Sequence, residues 1–426
     1  MHAALASAYA LLTGAASLAA HLPWPGEGKL SRSLRARRDA LPRILTWAAA
    51  HRDHERPLLW MHAASVGEGL MARPVLERVR ARHPDWQILY THFSPSAERF
   101  AGTLPADVAG YLPFDTAGAA SQLLEALRPT ALVAAKVDLW PVLWETAARR
   151  GVRTGLIAAA LRARSGRTGV VARALAHDAY AALDAVGAVD AADADRLAAL
   201  GVRRDRLEVT GDTRYDQVVA RLAALDRTTG PVATLADDRP TLVAGSTWPA
   251  DERVLCRAWE QVVHQVPAAR LIVAPHEPTA AHLEPLASWA SLTGLDAATL
   301  PHATSDTDVV LVDRVGVLAD LYALADVAYV GGGFHGAGLH SVVEPAALGV
   351  PVLIGPRHAG SRDAALLLAA RAAVAASDAD ALARAIIIAL TEPETRSRAG
   401  TAARAVVTAE LGAADRSAAL VERLMA

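Results

Sequence analysis

The sequence predicts an α/β protein built from two consecutive doubly wound domains, and three observations support this. Its 426 residues exceed what one hydrophobic core usually organises. Short apolar runs alternate with helical segments, the pattern of parallel strands covered by helices on both faces. The alternation comes in two series, separated by a polar stretch that ends in Asp237-Asp238-Arg239-Pro240. The chain therefore divides into an N-terminal apolar and basic segment at 1–40, a first domain at 41–211, a linker at 212–239 and a second domain at 240–426. Sheets of this kind bind ligands outside the carboxyl ends of their strands, so two of them imply a central cleft faced by both.

In chain order, Leu58 to Ala64 reads as a strand and Gly67 to Arg82 as its helix. Gln87 to Phe93, Ala131 to Val137, Thr154 to Leu161, Ala185 to Val189 and Leu207 to Thr210 continue the first series. The second series runs through Thr241 to Ala244, Leu271 to Ala274, Val309 to Val312, Val327 to Val330 and Pro351 to Ile354, with alanine-rich helices filling the rest. Ahead of both, Ala3 to Leu22 carries no Asp, Glu, Lys or Arg, and Lys29, Arg32, Arg35, Arg37 and Arg38 follow it. That order predicts an apolar helix at a membrane, spanning it or lying on it, with the body on the cytoplasmic side; an ordinary helix packed on the body is the alternative.

Composition excludes several classes. Lys plus Arg is 43 against 45 Asp plus Glu, a net charge of −2 that argues against nucleic-acid binding. The single cysteine, Cys256, permits no disulfide framework and no cysteine-based zinc site. Walker A, Gly-x-Ser-x-Gly, zincin and dinucleotide fingerprints are all absent from the sequence.

The chemistry-bearing stretches sit at strand ends. Gly331-Gly332-Gly333 follows the Val327–Val330 strand and leads through Ser341 to Glu344, a glycine-rich turn that suits close approach of a nucleotide and equally suits a plain strand-to-helix turn. Ser65-Val66-Gly67-Glu68 reads as a helix capping box or as a carboxylate placed for proton transfer, and the residues alone do not decide. Lys136 and Asp138 end a strand and face the expected cleft, or simply pair at the start of the next helix. Arg162 and Arg164 follow the next strand, where they meet either solvent or an anionic lipid phosphate. In the second domain Ser246 and Thr247 offer hydroxyls to a phosphate or cap a helix, His276 sits in a loop after a strand, and Gly316 leaves room for a base or ribose.

Taken in order, these stretches resemble the 3-deoxy-D-manno-octulosonic acid (Kdo) transferases of lipid A biosynthesis. The residues that carry the likeness are Ser65 to Glu68, Thr91 to Ser96, Tyr111 to Asp115, Lys136 to Pro141, Gly211 to Asp216, Ser246 to Trp248, Pro275 to Glu277 and Gly332 to Glu344. The resemblance implies a glycosyltransferase of the GT-B fold, two Rossmann-like domains with acceptor and donor roles. Its reaction moves Kdo from CMP-Kdo to a lipid A precursor, with inversion and without metal or cofactor, at the cytoplasmic face of the inner membrane. It implies that Glu68 is the general base and that Ser65, Lys136, Asp138 and Arg162 lie on the acceptor side. It implies that Ser246, Thr247, His276, Gly316, Gly332, Gly333, Ser341 and Glu344 hold CMP. Three departures stand out: Asp138 where the family usually has Glu, Ser341 where Asn is usual, and Ala158 and Ala160 in place of Asn and Arg. Two other functions fit the same fold: a UDP-sugar glycosyltransferase or non-hydrolysing epimerase, and a non-catalytic sugar- or lipid-binding relic.

Overall fold

The computed structural model describes residues 3–22, 24, 28–161, 169–336 and 338–426. The chain forms two compact units, residues 1–217 with 411–426 and residues 218–410. Each is organised around one parallel sheet of seven strands.

In the first unit the strands are β1 (Leu58–His62), β2 (Gln87–His92), β3 (Val108–Tyr111), β4 (Ala131–Ala135), β5 (Arg153–Ala159), β6 (Ala185–Ala188) and β7 (Leu207–Val209), in the order β3-β2-β1-β4-β5-β6-β7. β1 lies between β2 and β4, with Trp60 opposite Leu89 and Leu132. Its residues alternate between the two faces, as strand geometry requires. Leu58 and Trp60 enter the core under the helices Ala40–His51, Ala117–Leu127 and Pro141–Arg149, whereas Leu59 and Met61 enter the core under Val66–Arg82.

That second core is completed by the last helix, Ala413–Met425, which buries Leu420, Val421 and Leu424 against the first sheet. The sequence reading runs the second domain to Ala426, and the structure corrects it. Asp216 receives the backbone N–H groups of Gly412 and Ala414 at 2.9 and 3.0 Å, and Arg78 and Arg82 pair with Asp415. The carboxylate of Asp216 thereby satisfies two of the orphan donors at that helix start. The expected linker, read as helical and then loop-like, begins with the helix Thr213–Ala223, and its residues to Gln217 belong to the first unit.

The second unit holds β8 (Thr241–Thr247), β9 (Arg270–Pro275), β10 (Ala297–Thr299), β11 (Val309–Leu311), β12 (Val327–Val330), β13 (Val352–Ile354) and β14 (Ala373–Ala375), ordered β10-β11-β9-β8-β12-β13-β14. Leu242 and Ala244 pack beneath the helices Pro249–Gln265 and Ala379–Thr391, while Val243 packs on the opposite face with Leu321 and Tyr322. The expected helix from Ser341 is shorter, Val343–Ala347.

The N-terminal segment forms a helix, Ala3–Ala19, of 17 residues. Among the described residues no helix is long and apolar enough to cross a membrane. Its Tyr9 hydroxyl donates to Asp115 Oδ2 at 2.9 Å. The same buried carboxylate takes the backbone N–H groups of Val142 and Leu143, and burial pushes its pKa up. Arg37 is also buried, donating to the Leu112 and Pro113 carbonyls and stacking over Phe93 and Phe114, with its pKa pulled down to about 10 by burial.

Candidate active site

In the first unit the chemistry collects where β1, β2 and β4 end. Ser65 has extended backbone and caps the helix Val66–Arg82, its Oγ accepting the Glu68 N–H at 3.5 Å. The Ser65 hydroxyl in turn donates to Glu68 Oε2. A full capping box would also have the carboxylate accept the Ser65 backbone N–H; among the described residues that bond is not made. Glu68 Oε1 instead lies 3.5 Å from Lys136 Nζ, with the carboxylate side chain 18% exposed and the lysine 41% exposed. The helix is thus capped by serine alone, and one glutamate oxygen holds the serine hydroxyl while the other lies beside an ammonium group.

Lys136 takes a left-handed φ of 66°, as does Ser246 in the second unit at 55°. For residues with a Cβ this conformation costs about 1 kcal/mol or more, and such strain concentrates at sites of binding or reaction. Lys136 is held there by its N–H donating to the Ile157 carbonyl at 2.8 Å.

Two residues after Lys136, Asp138 is fixed by a buried relay. Trp60 Nε1 donates to Thr91 Oγ1 at 2.8 Å, Thr91 Oγ1 lies 3.0 Å from His62 Nδ1, and His62 Nε2 lies 3.1 Å from Asp138 Oδ2. The indole can only donate, so the threonine hydroxyl accepts from it, and a carboxylate can only accept, so His62 Nε2 is the donor to Asp138. Trp140 Nε1 adds a donor to the same oxygen at 3.3 Å. His62 and Thr91 were not predicted to shape the site. A polar pair inside apolar strands is the only trace that such a relay leaves in a sequence. Arg162 lies outside the described residues.

In the second unit the predicted residues lie at or after the carboxyl ends of β8, β9, β11 and β12, four strands adjacent in the sheet. Ser246 forms a bulge between Gly245 and Thr247. Thr247 is buried, and its hydroxyl donates to Glu252 Oε1 at 2.9 Å, so it turns into the unit. His276 is exposed, packs tilted against Trp248 with ring centroids 4.6 Å apart, and lies 4.5 Å from the His340 ring. His335 stacks on Trp248. Trp248 Nε1 donates to His340 Nε2 at 3.0 Å, which requires that nitrogen to be unprotonated and leaves Nδ1 as the donor. Burial, followed by the nearby His276, lowers the His340 pKa and favours the same neutral form. Gly316 is exposed beside this edge, with its carbonyl taking Arg221 at 3.0 Å. Ser341 is exposed and Glu344 half-buried in the first turn of its helix.

The glycine turn is pinned by a residue that the sequence reading passed over. Asp251, fully buried, accepts four hydrogen bonds: Gly332 N at 2.8 Å and Trp248 N at 3.0 Å on Oδ2, Tyr329 Oη at 2.9 Å and Phe334 N at 3.0 Å on Oδ1. Its position three residues after Trp248 made it look like an ordinary acid in the first turn of a helix. Gly332 has a φ of 92°, and a Cβ on Gly333 would overlap the Gly355 backbone. Only glycine fits this turn. Among the described residues no group of three or more His, Cys, Asp or Glu side chains is arranged to hold a metal ion.

Comparison with known proteins supplies the family. Residues 35–217 match the model for "3-Deoxy-D-manno-octulosonic-acid transferase (kdotransferase)". The chain is 30% identical over 375 residues to the 3-deoxy-D-manno-octulosonic acid transferase of Bordetella pertussis, covering 84% of this chain and 85% of that protein. To the Haemophilus influenzae transferase it is 28% identical over 364 residues, with 84% and 85% covered. The UDP-GlcNAc 2-epimerase of Neisseria meningitidis superposes with a TM-score of 0.62 at 15% identity, covering 86% of this chain and 99% of the epimerase, a likeness of fold alone. With the relatives matched across most of their length, the chain belongs to the 3-deoxy-D-manno-octulosonic acid transferase family.

Proposed function

We propose that this protein is an inverting glycosyltransferase that moves Kdo from CMP-Kdo to a lipid A precursor. The observation that carries the reading is the placement of Glu68, a carboxylate not consumed by its helix cap and set beside Lys136 at the carboxyl edge of the first sheet. In this reading Glu68 takes the proton of the acceptor hydroxyl as that oxygen attacks the anomeric carbon, and CMP departs from the opposite face. Lys136 is a cation suited to the carboxylate of the sugar. Asp138, held by the His62 relay, orients the acceptor, and Arg162 adds positive charge on that side.

The second unit is the donor unit. The turn at Gly332 and Gly333, where no Cβ bars close approach, the strained Ser246 and the paired rings of Trp248 and His276 offer backbone and an aromatic face to a nucleotide. Ser341, Glu344 and Gly316 complete it at the same edge. The cytidylyl leaving group carries one phosphate, which backbone donors and imidazoles can stabilise without a metal. Calorimetric titration tests the donor assignment. CMP should bind more tightly than UDP and keep its affinity after chelation and dialysis; tighter binding of UDP would favour the UDP-sugar alternative.

We further propose that the protein attaches to the cytoplasmic surface of the inner membrane. Leu11, Leu12, Leu18 and Leu22 are each at least 60% exposed on or just after the helix Ala3–Ala19, an apolar surface that the described residues leave uncovered. At 1.5 Å per residue that helix measures about 26 Å, short of the hydrocarbon core, which suits lying on the bilayer. Flotation of the full chain with phospholipid vesicles is the expected result, and a chain that stays at the bottom of the gradient contradicts the attachment.

A further inference from the structure

A recess of about 350 Å³ opens between the helix Lys29–Arg38, the start of the helix Ala40–His51 and the turn at Pro95. Four arginines line it: Arg32, Arg35, Arg38 and Arg43. None of Ser65, Glu68, Lys136 or Asp138 does. Like charges gathered around so small a volume repel one another unless anions offset them. The two carboxylates at the recess offset two of these four charges and leave an excess of positive charge. Asp39 receives Nε and Nη2 of Arg38 at 2.8 and 3.2 Å, and Glu98 accepts the Tyr111 hydroxyl at 3.2 Å. Arg35 donates to the Trp24 carbonyl at 3.2 Å.

Arg32 and Arg43 are exposed, and among the described residues neither guanidinium has a hydrogen bond or an ion pair. Two such forks supply up to ten N–H donors in planar pairs, the geometry that matches phosphate oxygens. Trp24, whose carbonyl holds Arg35, follows shortly after the exposed Leu18 and Leu22, so apolar surface and basic recess are neighbours along the chain. That combination suits a molecule with an acyl body and a phosphorylated head.

We propose that this recess is a phosphate site that holds a phosphate monoester on the headgroup of the lipid acceptor, apart from the reacting centre. The proposal rests on the Kdo-transfer reading. Inorganic phosphate and bilayer phospholipid offer the same chemistry, and the test separates them. In the full chain, Arg32→Ala with Arg43→Ala should raise KM for a phosphorylated acceptor about tenfold with kcat little changed. On the same acceptor stripped by phosphatase, wild type and variant should agree. Arg32→Lys with Arg43→Lys should recover part of the loss, and melting should change little because, among the described residues, neither guanidinium makes a hydrogen bond or an ion pair. Inorganic phosphate should compete with the acceptor in wild type and lose that effect in the alanine variant. Vesicles of phosphatidylcholine doped with phosphatidylglycerol should float both proteins equally.

An unchanged KM, an equal rise on both acceptors, phosphate inhibition that survives in the variant, or flotation that falls with the arginines would each overturn the proposal. If wild type transfers no sugar, the failure lies in the transfer reading. Direct binding of the phosphorylated and stripped lipids to both proteins, by surface plasmon resonance, then decides the recess on its own.

Discussion

Glu68→Gln should reduce the turnover of Kdo transfer by about 10²–10⁴-fold while leaving KM for the donor within a few-fold. Glutamine keeps the size of the side chain, and its amide oxygen still accepts the Ser65 hydroxyl, so the helix start is preserved. The cap itself is the Ser65 Oγ accepting the backbone N–H of residue 68, which the substitution does not touch. What disappears is the negative charge beside Lys136 and the capacity to accept a proton. The capping and proton-transfer readings therefore separate cleanly. If the role were structural, melting would move and turnover would follow only through the folded fraction. If it is chemical, melting stays and turnover collapses. Steady-state kinetics alongside thermal unfolding checks both.

Asp251→Asn should weaken the donor unit in both stability and affinity. The carboxylate oxygens receive four donors, two each. An asparagine presents one oxygen and one N–H₂ group, so whichever way it turns, two donors face another donor. Leaving buried donors unmet costs about 1–3 kcal/mol each, so a loss of about 3 kcal/mol or more is expected. The turn at Gly332 and Phe334 then loses its anchor, and the backbone proposed to receive the nucleotide is no longer preset. KM for the donor should rise at least tenfold, with KM for the acceptor little changed. Unchanged melting and unchanged donor KM would contradict this role for Asp251.

The fold was legible where strands are buried on both faces. β12 at Val327–Val330 and β4 at Ala131–Ala135 are wholly apolar runs, and their burial is complete. Three strands were not legible: β3 at Val108–Tyr111, β10 at Ala297–Thr299 and β14 at Ala373–Ala375. Each lies at an edge of its sheet, is only partly buried, and is too short to build a pattern. The return of the last helix to the first unit was equally hidden. An amphipathic helix states that it must be covered, not by what. The answer lies in Asp216, far upstream, and in Gly155, whose missing side chain leaves room for Leu424.

At the candidate site, the strand-end positions of Glu68, Lys136, Ser246 and Gly332 follow from the alternation of strand and helix. The residues that hold them were harder to see. His62 ends a strand of buried apolar residues, and its role depends on Thr91 and Asp138, which belong to other strand units. Asp251 resembles a favourable acid at any helix start, and only the meeting of β8 with β12 shows that its carboxylate serves the turn. First-layer residues sit in local motifs, whereas their supports are set by long-range pairing that no local window contains.

The central claim is transfer of Kdo from its cytidylyl donor to a lipid acceptor. Purified protein incubated with CMP-Kdo and tetraacylated lipid A precursor should yield acceptor heavier by one or more Kdo residues, with an equal amount of CMP released, as read by mass spectrometry. Unaltered acceptor mass in the presence of intact, folded protein and donor would contradict it.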